Sequence, residues 1–230
     1  MDESKNVDDS SGNLSSLYAE NSFVRALIQL IPLGIGGAGD VLFMDYVERM
    51  RKRRAKVFFD ELDSGEIVLS ESVIRSEEFL HRFFIATRVA LNAQRDEKIR
   101  NFAKLLKSSV NSESNLDNDE FEEYVSILDE LSYREWLALL ILDEFSYTER
   151  SEEQNDLQWS NDFWIDFKDR VSDELKIDHD EVVSFLNRIS RTGLYEQIVG
   201  GFMDYEGGVG VLTKRFHKLK CVLIDREEGL

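Results

Sequence analysis

Apolar residues recur three and four positions apart over most of the chain, the spacing that lines one face of an α-helix. The first stripe is Val24, Leu27, Ile28 and Ile31, on a short helix that Asn21 or Ser22 caps and Pro32 breaks. The run Gly34-Ile35-Gly36-Gly37-Ala38-Gly39 then turns the chain, and Asp40 caps a second helix over about residues 41–62. Its inward face is Phe43, Val47, Met50, Arg54 and Phe58, with Arg51, Lys52 and Arg53 turned outward. Asp63-Ser64-Gly65 stops it. Ser70 or Ser72 starts a longer helical region that reaches about Lys107. Phe79, Phe83, Ala86 and Ala90 form one stripe there, and Ile99, Phe102, Ala103 and Leu106 form another. The polar crossing between them at 92–98 fits a bend or two helices better than one rod. After the polar stretch 108–119, Phe121, Val125, Leu128 and Leu131 resume the helical period.

The last hundred residues change style. Ser132 caps a helix carrying Trp136, Leu137, Leu139, Leu140 and Leu142. A polar interval at 147–160 precedes a helix from about Asp162 to Leu175. Asp178 is placed to cap a third, about 179–191, with Glu181 completing a capping box and Val182, Val183, Phe185, Leu186 and Ile189 as the buried set. Thr192-Gly193 ends it. Two short strands follow, Leu194–Phe202 and Gly210–Lys214, and Phe216–Ile224 reads as a final short helix or strand. The expected organisation is an acidic tail (1–20), a helical bundle (21–118), a connecting helix (119–131) and a C-terminal module (132–225). The fold class is mainly α, an N-terminal helical bundle followed by an α+β module with a short β-hairpin.

Composition sharpens this in two ways. Fifteen Phe, three Trp and seven Tyr in 230 residues exclude wholesale disorder despite a net charge of -18. That charge disfavours generic polyanion binding, yet it is unevenly placed. Six basic residues and no acid lie between Arg49 and Lys56, whereas fourteen acids and four bases lie between Asp143 and Glu181. The single cysteine, Cys221, excludes an intramolecular disulfide and reads as a small buried hydrophobe in an apolar run. Residues 1–20 are acidic and polar rather than signal-like, so the expected location is cytoplasmic.

Three helices, a glycine-centred hairpin opening at Gly193-Leu194 and closing at Leu212-Thr213, and a terminal element together resemble the winged-helix module, over about residues 132–224. Members of that family contact DNA or protein, so the resemblance implies a fold and leaves the partner open. In a DNA-reading member the third helix enters the major groove. Here its solvent face offers Ser184, Asn187, Arg188 and Arg191, and the wing region adds Lys214, Arg215 and Lys218. Against DNA, Asp178, Asp180 and Glu181 crowd the start of that helix, and Asp166, Asp169, Asp173 and Glu174 occupy the one before it. The N-terminal part, about residues 22–107, resembles uncharacterised bacterial helical proteins of prophage or mobile-element regions. The features that carry this are Leu30-Ile31-Pro32, Gly39-Asp40, Arg53/Arg54 with Phe58 and Leu62, and Asp96-Glu97-Lys98-Ile99 ahead of Phe102-Ala103-Lys104-Leu105-Leu106.

Other candidate chemistry reduces to structure. The basic cluster containing Arg51, Lys52 and Arg53 reads as a solvated helix face, as a contact for a polyanion, or as a dock for the protein's own acidic segments. Residues 26–44 are long enough to span a bilayer and are flanked by that cluster, but Pro32, four glycines and Asp40 favour two helices joined by a turn. Membrane association through residues 22–56 stays as an alternative. The glycine run lacks the Gly-Lys-Ser/Thr ending of a phosphate loop. His81, His179 and His217 are far apart, and His81, beside Phe79 and Phe83, reads as partly buried. Glu77-Glu78, Glu122-Glu123 and Glu152-Glu153 read as helix surface or loop. The expectation is a non-enzymatic interaction or regulatory protein without cofactor or metal, with a protein partner or self-association and a possible role in phage or mobile-element processes. A sequence-specific DNA-binding regulator is the alternative.

Overall fold

The computed structural model describes residues 41–64, 73, 75–110, 116–200 and 208–224. Eight α-helices and one two-stranded antiparallel sheet occur among them. The predicted acidic tail, the helix at 21–31, the glycine run and the apolar segment preceding residue 41 lie outside the described residues. Among those described, no helix is long and apolar enough to cross a membrane. The chain divides into two units, Met1–Val125 and Ser126–Leu230.

The N-terminal unit contains α1 (Val41–Asp63), α2 (Glu77–Ala90), α3 (Asp96–Ser108) and the start of α4 (Asn118–Glu130). The long helical region expected from the pattern is two helices. Ser76 opens α2 by accepting a hydrogen bond from the Phe79 backbone N–H at 3.2 Å, and Asp96 and Glu97 supply the acidic first turn of α3. Phe58, Phe79, Phe83, Ile99, Phe102, Leu105 and Leu106 form the core, with Ala86, Ala90 and Ala103 fully buried between them. Rings of Phe58, Phe59, Phe79 and Phe83 meet at centroid distances of 5.8–6.3 Å.

Basic residues of this unit complement helix ends. Arg54 donates to the Leu91 carbonyl just past α2 at 2.8 Å, satisfying an acceptor that the helix leaves open. Arg53 reaches both carboxylate oxygens of Asp96, at 2.6 and 2.9 Å, in the first turn of α3. Lys107 donates to the Ser64 carbonyl at the end of α1. Arg82 on α2 is buried, with a side chain 4% exposed. Its guanidinium donates to the Ser109 and Leu116 carbonyls at 2.7 and 2.9 Å, to Asn118 Oδ1 at 2.7 Å and to Glu78 at 2.5 Å. It also lies 5.6 Å from the Phe121 ring centroid. One side chain thus ties α2 to the end of α3 and the start of α4.

The C-terminal unit holds the rest of α4, then α5 (Tyr133–Phe145), α6 (Asp156–Leu175), α7 (Val182–Ile189), β1 (Tyr195–Gln197), β2 (Gly210–Leu212) and α8 (Lys214–Leu223). Ser132 and Glu135 form a reciprocal capping box on α5, and Asn155 and Gln158 form another on α6. The second box starts α6 at Asp156, six residues before the expected Asp162, within what reads as a polar loop. The predicted Asp178–Glu181 box does not form. The Glu181 N–H instead bonds the Asp178 carbonyl at 2.8 Å, so a 3-10 turn, His179–Glu181, precedes α7. A second such turn, Ser190–Thr192, ends on Gly193 at φ 70°, a left-handed conformation that glycine adopts without strain.

The strands are three residues each, paired Tyr195↔Leu212, Glu196↔Val211 and Gln197↔Gly210. A Cβ at Gly210 would sit 2.2 Å from Tyr195 Oη, so only glycine lets the buried Tyr195 ring lie there. Thr213 caps α8, which buries Phe216, Leu219 and Leu223 at helical spacing. Cys221 falls on the other face and is exposed, which corrects its reading as a buried hydrophobe. The core centres on Trp164, Phe167, Leu139, Leu186, Ile189, Leu194 and Phe216.

Replacing Arg82 with Met leaves two buried carbonyls without donors, at about 1–3 kcal/mol for each unsatisfied group. Urea titration followed by circular dichroism is expected to show a loss of about 2–4 kcal/mol for Arg82→Met.

Candidate nucleic-acid or partner interface

The polar face of α7 is built by the burial of Val182, Leu186 and Ile189, which turns Ser184, Asn187 and Arg188 toward solvent. Arg191 lies one step beyond the helix, in the 3-10 turn. Of the four residues singled out from the sequence, two arginines meet an acid from another helix. Glu135 on α5 has a side chain only 1% exposed, and Arg191 Nη1 donates to its Oε1 at 2.9 Å. Arg188 Nη2 stands 3.4 Å from the same oxygen, and its guanidinium lies 5.9 Å from the Phe185 ring centroid. Arg191 also donates to the Arg188 and Glu130 carbonyls, the latter at 3.2 Å. Its guanidinium therefore joins the end of α4, the start of α5 and the end of α7.

Glu135 is saturated. Oε2 accepts the Ser132 backbone N–H at 2.8 Å, while the Glu135 N–H donates to the Ser132 hydroxyl oxygen at 3.2 Å. Burial pushes its carboxyl up, but the Arg191 guanidinium and the Ser132 contacts outweigh that and hold it below the usual carboxylate range. The hydrogen bond to Glu135 raises Arg191 in turn.

A second buried acid lies eight residues along α5. Asp143 has a side chain 4% exposed; Lys220 of α8 bonds its Oδ2, and His217 Nδ1 lies 3.6 Å from Oδ1. The hydrogen bond to Asp143 raises the Lys220 ammonium above its ordinary value. The remaining basic candidates, Lys214, Arg215 and Lys218, are exposed on the first turns of α8. Lys214 opens that helix rather than closing β2, where it was expected, because the Thr213 cap intervenes. The Arg215 side chain extends over Gly193, 3.7 Å from where a Cβ would be.

In the N-terminal unit, Arg53 is engaged with Asp96, Lys52 is exposed, and Arg51 is half-buried beside Phe83 and Phe84. His81 is half-exposed and 2.7 Å from Glu122, while Phe79 and Phe83 face the core. His179 lies 3.2 Å from Asp169. No group of three or more His, Cys, Asp or Glu among the described residues is placed to hold a metal ion.

The reading from sequence missed the roles of Glu135 and Asp143, which were absorbed into an apolar helix. The Ser132-x-x-Glu135 spacing was available as a capping signal; nothing local marks Asp143 as buried. No family model, curated protein or solved structure matches the chain.

Because the folded Glu135 carboxyl lies below its ordinary value of 4.5, the stability it confers is present above about pH 4.5. That stability is lost as pH falls through the lower folded value. Urea midpoints between pH 7 and pH 3 are expected to drop on the acid side in the native protein. For Glu135→Gln, which removes the charge and retains the shape, the profile is flatter, and stability at pH 7 is lower by about 1.5–3 kcal/mol.

Proposed function

We propose that the chain is a non-enzymatic interaction or regulatory protein, whose C-terminal unit is a winged-helix-like module that contacts a protein partner rather than DNA. The observation that carries this reading is the use of Arg191, with Arg188 beside it, as counter-charge to the buried Glu135. A guanidinium held against its own carboxylate must break that pairing to take a guanine edge or a phosphate. The order of elements supports the module: three helices, a hairpin entered through Gly193 and left through Thr213, and a closing helix. Acidic surroundings support a protein partner. Asp162, Asp166, Asp169 and Asp173 lie exposed on α6 at helical spacing, with Ile165 48% exposed among them, a surface that repels phosphate and accepts a basic, partly apolar one.

The second reading, a sequence-specific DNA regulator, draws on the exposure of Ser184, Asn187 and Arg188 on one face of α7. Selection from a randomised duplex pool separates the two. The protein-contact reading expects no enriched sequence and duplex binding weaker than about 10⁻⁴ M at physiological salt. An enriched motif whose affinity falls in Asn187→Ala would establish the DNA reading instead. Asn187 is the right position to change, because Arg191 variants also remove the Glu135 pairing.

A further inference from the structure

The groove between α1 and α2 carries a feature that neither reading uses. A cavity of about 280 Å³ opens there, lined by Arg51, Phe83, Phe84, Thr87, Arg88, Leu91 and Asn92. Its walls are mostly apolar: Phe83 is fully buried behind it, and Phe84, 43% exposed, leaves part of its ring in solvent. The exposed part of the Phe84 ring lies on the rim of the cavity, where an occupant would cover it together with the apolar wall. Its volume lies just below the range of about 300–1,000 Å³ typical of small-molecule pockets.

The polar groups on this cavity share a second property. Neither the Arg51 nor the Arg88 guanidinium makes an ion pair or side-chain hydrogen bond among the described residues, although Arg53, Arg54 and Arg82 nearby in the same unit are engaged. Thr87, which forms part of the wall, has a buried hydroxyl without a hydrogen-bond partner. Two open guanidiniums beside an apolar hollow match a molecule with one anionic head and a hydrophobic body.

We propose that this cavity binds a small hydrophobic monocarboxylate. Arg51 and Arg88 hold the carboxylate by charge-assisted hydrogen bonds, and Phe83, Phe84 and Leu91 cover the aliphatic or aromatic body. Inorganic phosphate satisfies the arginines but leaves the apolar wall wet, and a neutral alcohol fills the wall but leaves the arginines solvated. Both therefore bind more weakly than the carboxylate.

The test uses the full chain with octanoate, 1-octanol and inorganic phosphate as separate probes. All three tryptophans, Trp136, Trp159 and Trp164, lie in the C-terminal unit, so amide resonance mapping is the appropriate readout. Octanoate is expected to shift the resonances of Phe83, Phe84, Thr87 and Arg88, and to bind at least about tenfold more tightly than octanol. Phosphate should shift Arg88 at most, more weakly than octanoate does, and leave Phe83, Phe84 and Thr87 unmoved. The double variant Arg51→Gln/Arg88→Gln should lose about tenfold or more in octanoate affinity and keep its response to octanol. The charge-retaining variants Arg51→Lys and Arg88→Lys should lose less, and they carry the comparison if the double variant melts early. Equal binding of octanoate and octanol, octanoate shifts that map elsewhere, or an unaltered affinity in the double variant would each overturn the proposal. Absence of octanoate binding at millimolar concentration would do the same.

Discussion

A carboxylate removed from water must find counter-charge and hydrogen bonds within the protein, or its burial costs several kcal/mol. Glu135 meets this requirement at one point in the C-terminal unit, and much of that unit's geometry follows. Its position at the third residue of α5 lets it return a hydrogen bond to Ser132 while Arg191 comes in from the far end of α7. Arg191 in turn bonds the Glu130 carbonyl, so the turn between α4 and α5 is fixed by the same guanidinium. Asp143, two turns further along α5, repeats the arrangement with Lys220 of α8. The elements that follow in sequence, α7 and α8, are thereby referred back to one helix through two buried acids.

The N-terminal unit obeys the same constraint with the sign reversed. Arg82 is a buried cation that bonds the Ser109 carbonyl at the end of α3 as well as the Leu116 carbonyl, Asn118 and Glu78, and Arg54 and Lys107 bond carbonyls at the ends of α2 and α1. Open carbonyls at helix C-termini carry partial negative charge, so a basic residue on a neighbouring helix is well suited to them. The cluster between Arg49 and Lys56 is therefore not one uniform basic face. Arg53 and Arg54 belong to the packing of the unit, while Arg51 borders an apolar cavity.

These distinctions explain what was legible in the chain and what was not. The stripes Phe79/Phe83/Ala86/Ala90 and Ile99/Phe102/Ala103/Leu106 identified α2 and α3 because burial of one face imposes the period directly. Ser132 and Gly193 announced their roles through local backbone chemistry. The start of α6 did not, because Asn155 and Gln158 sit in a run so polar that it reads as a loop until the box is formed. Cys221 was misread since apolar neighbours were taken as one face, whereas α8 places it opposite Phe216 and Leu219. The burial of Glu135 and Asp143 was invisible for a deeper reason: it depends on cations 56 and 77 residues away. Candidate contact residues suffered the same limit, since Arg188 and Arg191 look like open donors until Glu135 is placed against them.

The functional account rests on Arg191 serving Glu135. A double-mutant cycle at pH 7 on Glu135→Gln and Arg191→Gln, followed by urea unfolding, measures that service directly. The account predicts a coupling energy of about 1–3 kcal/mol between the two positions. Additivity of the two substitutions to within about 0.5 kcal/mol would contradict it, and would return Arg191 to the set of side chains open to an external partner.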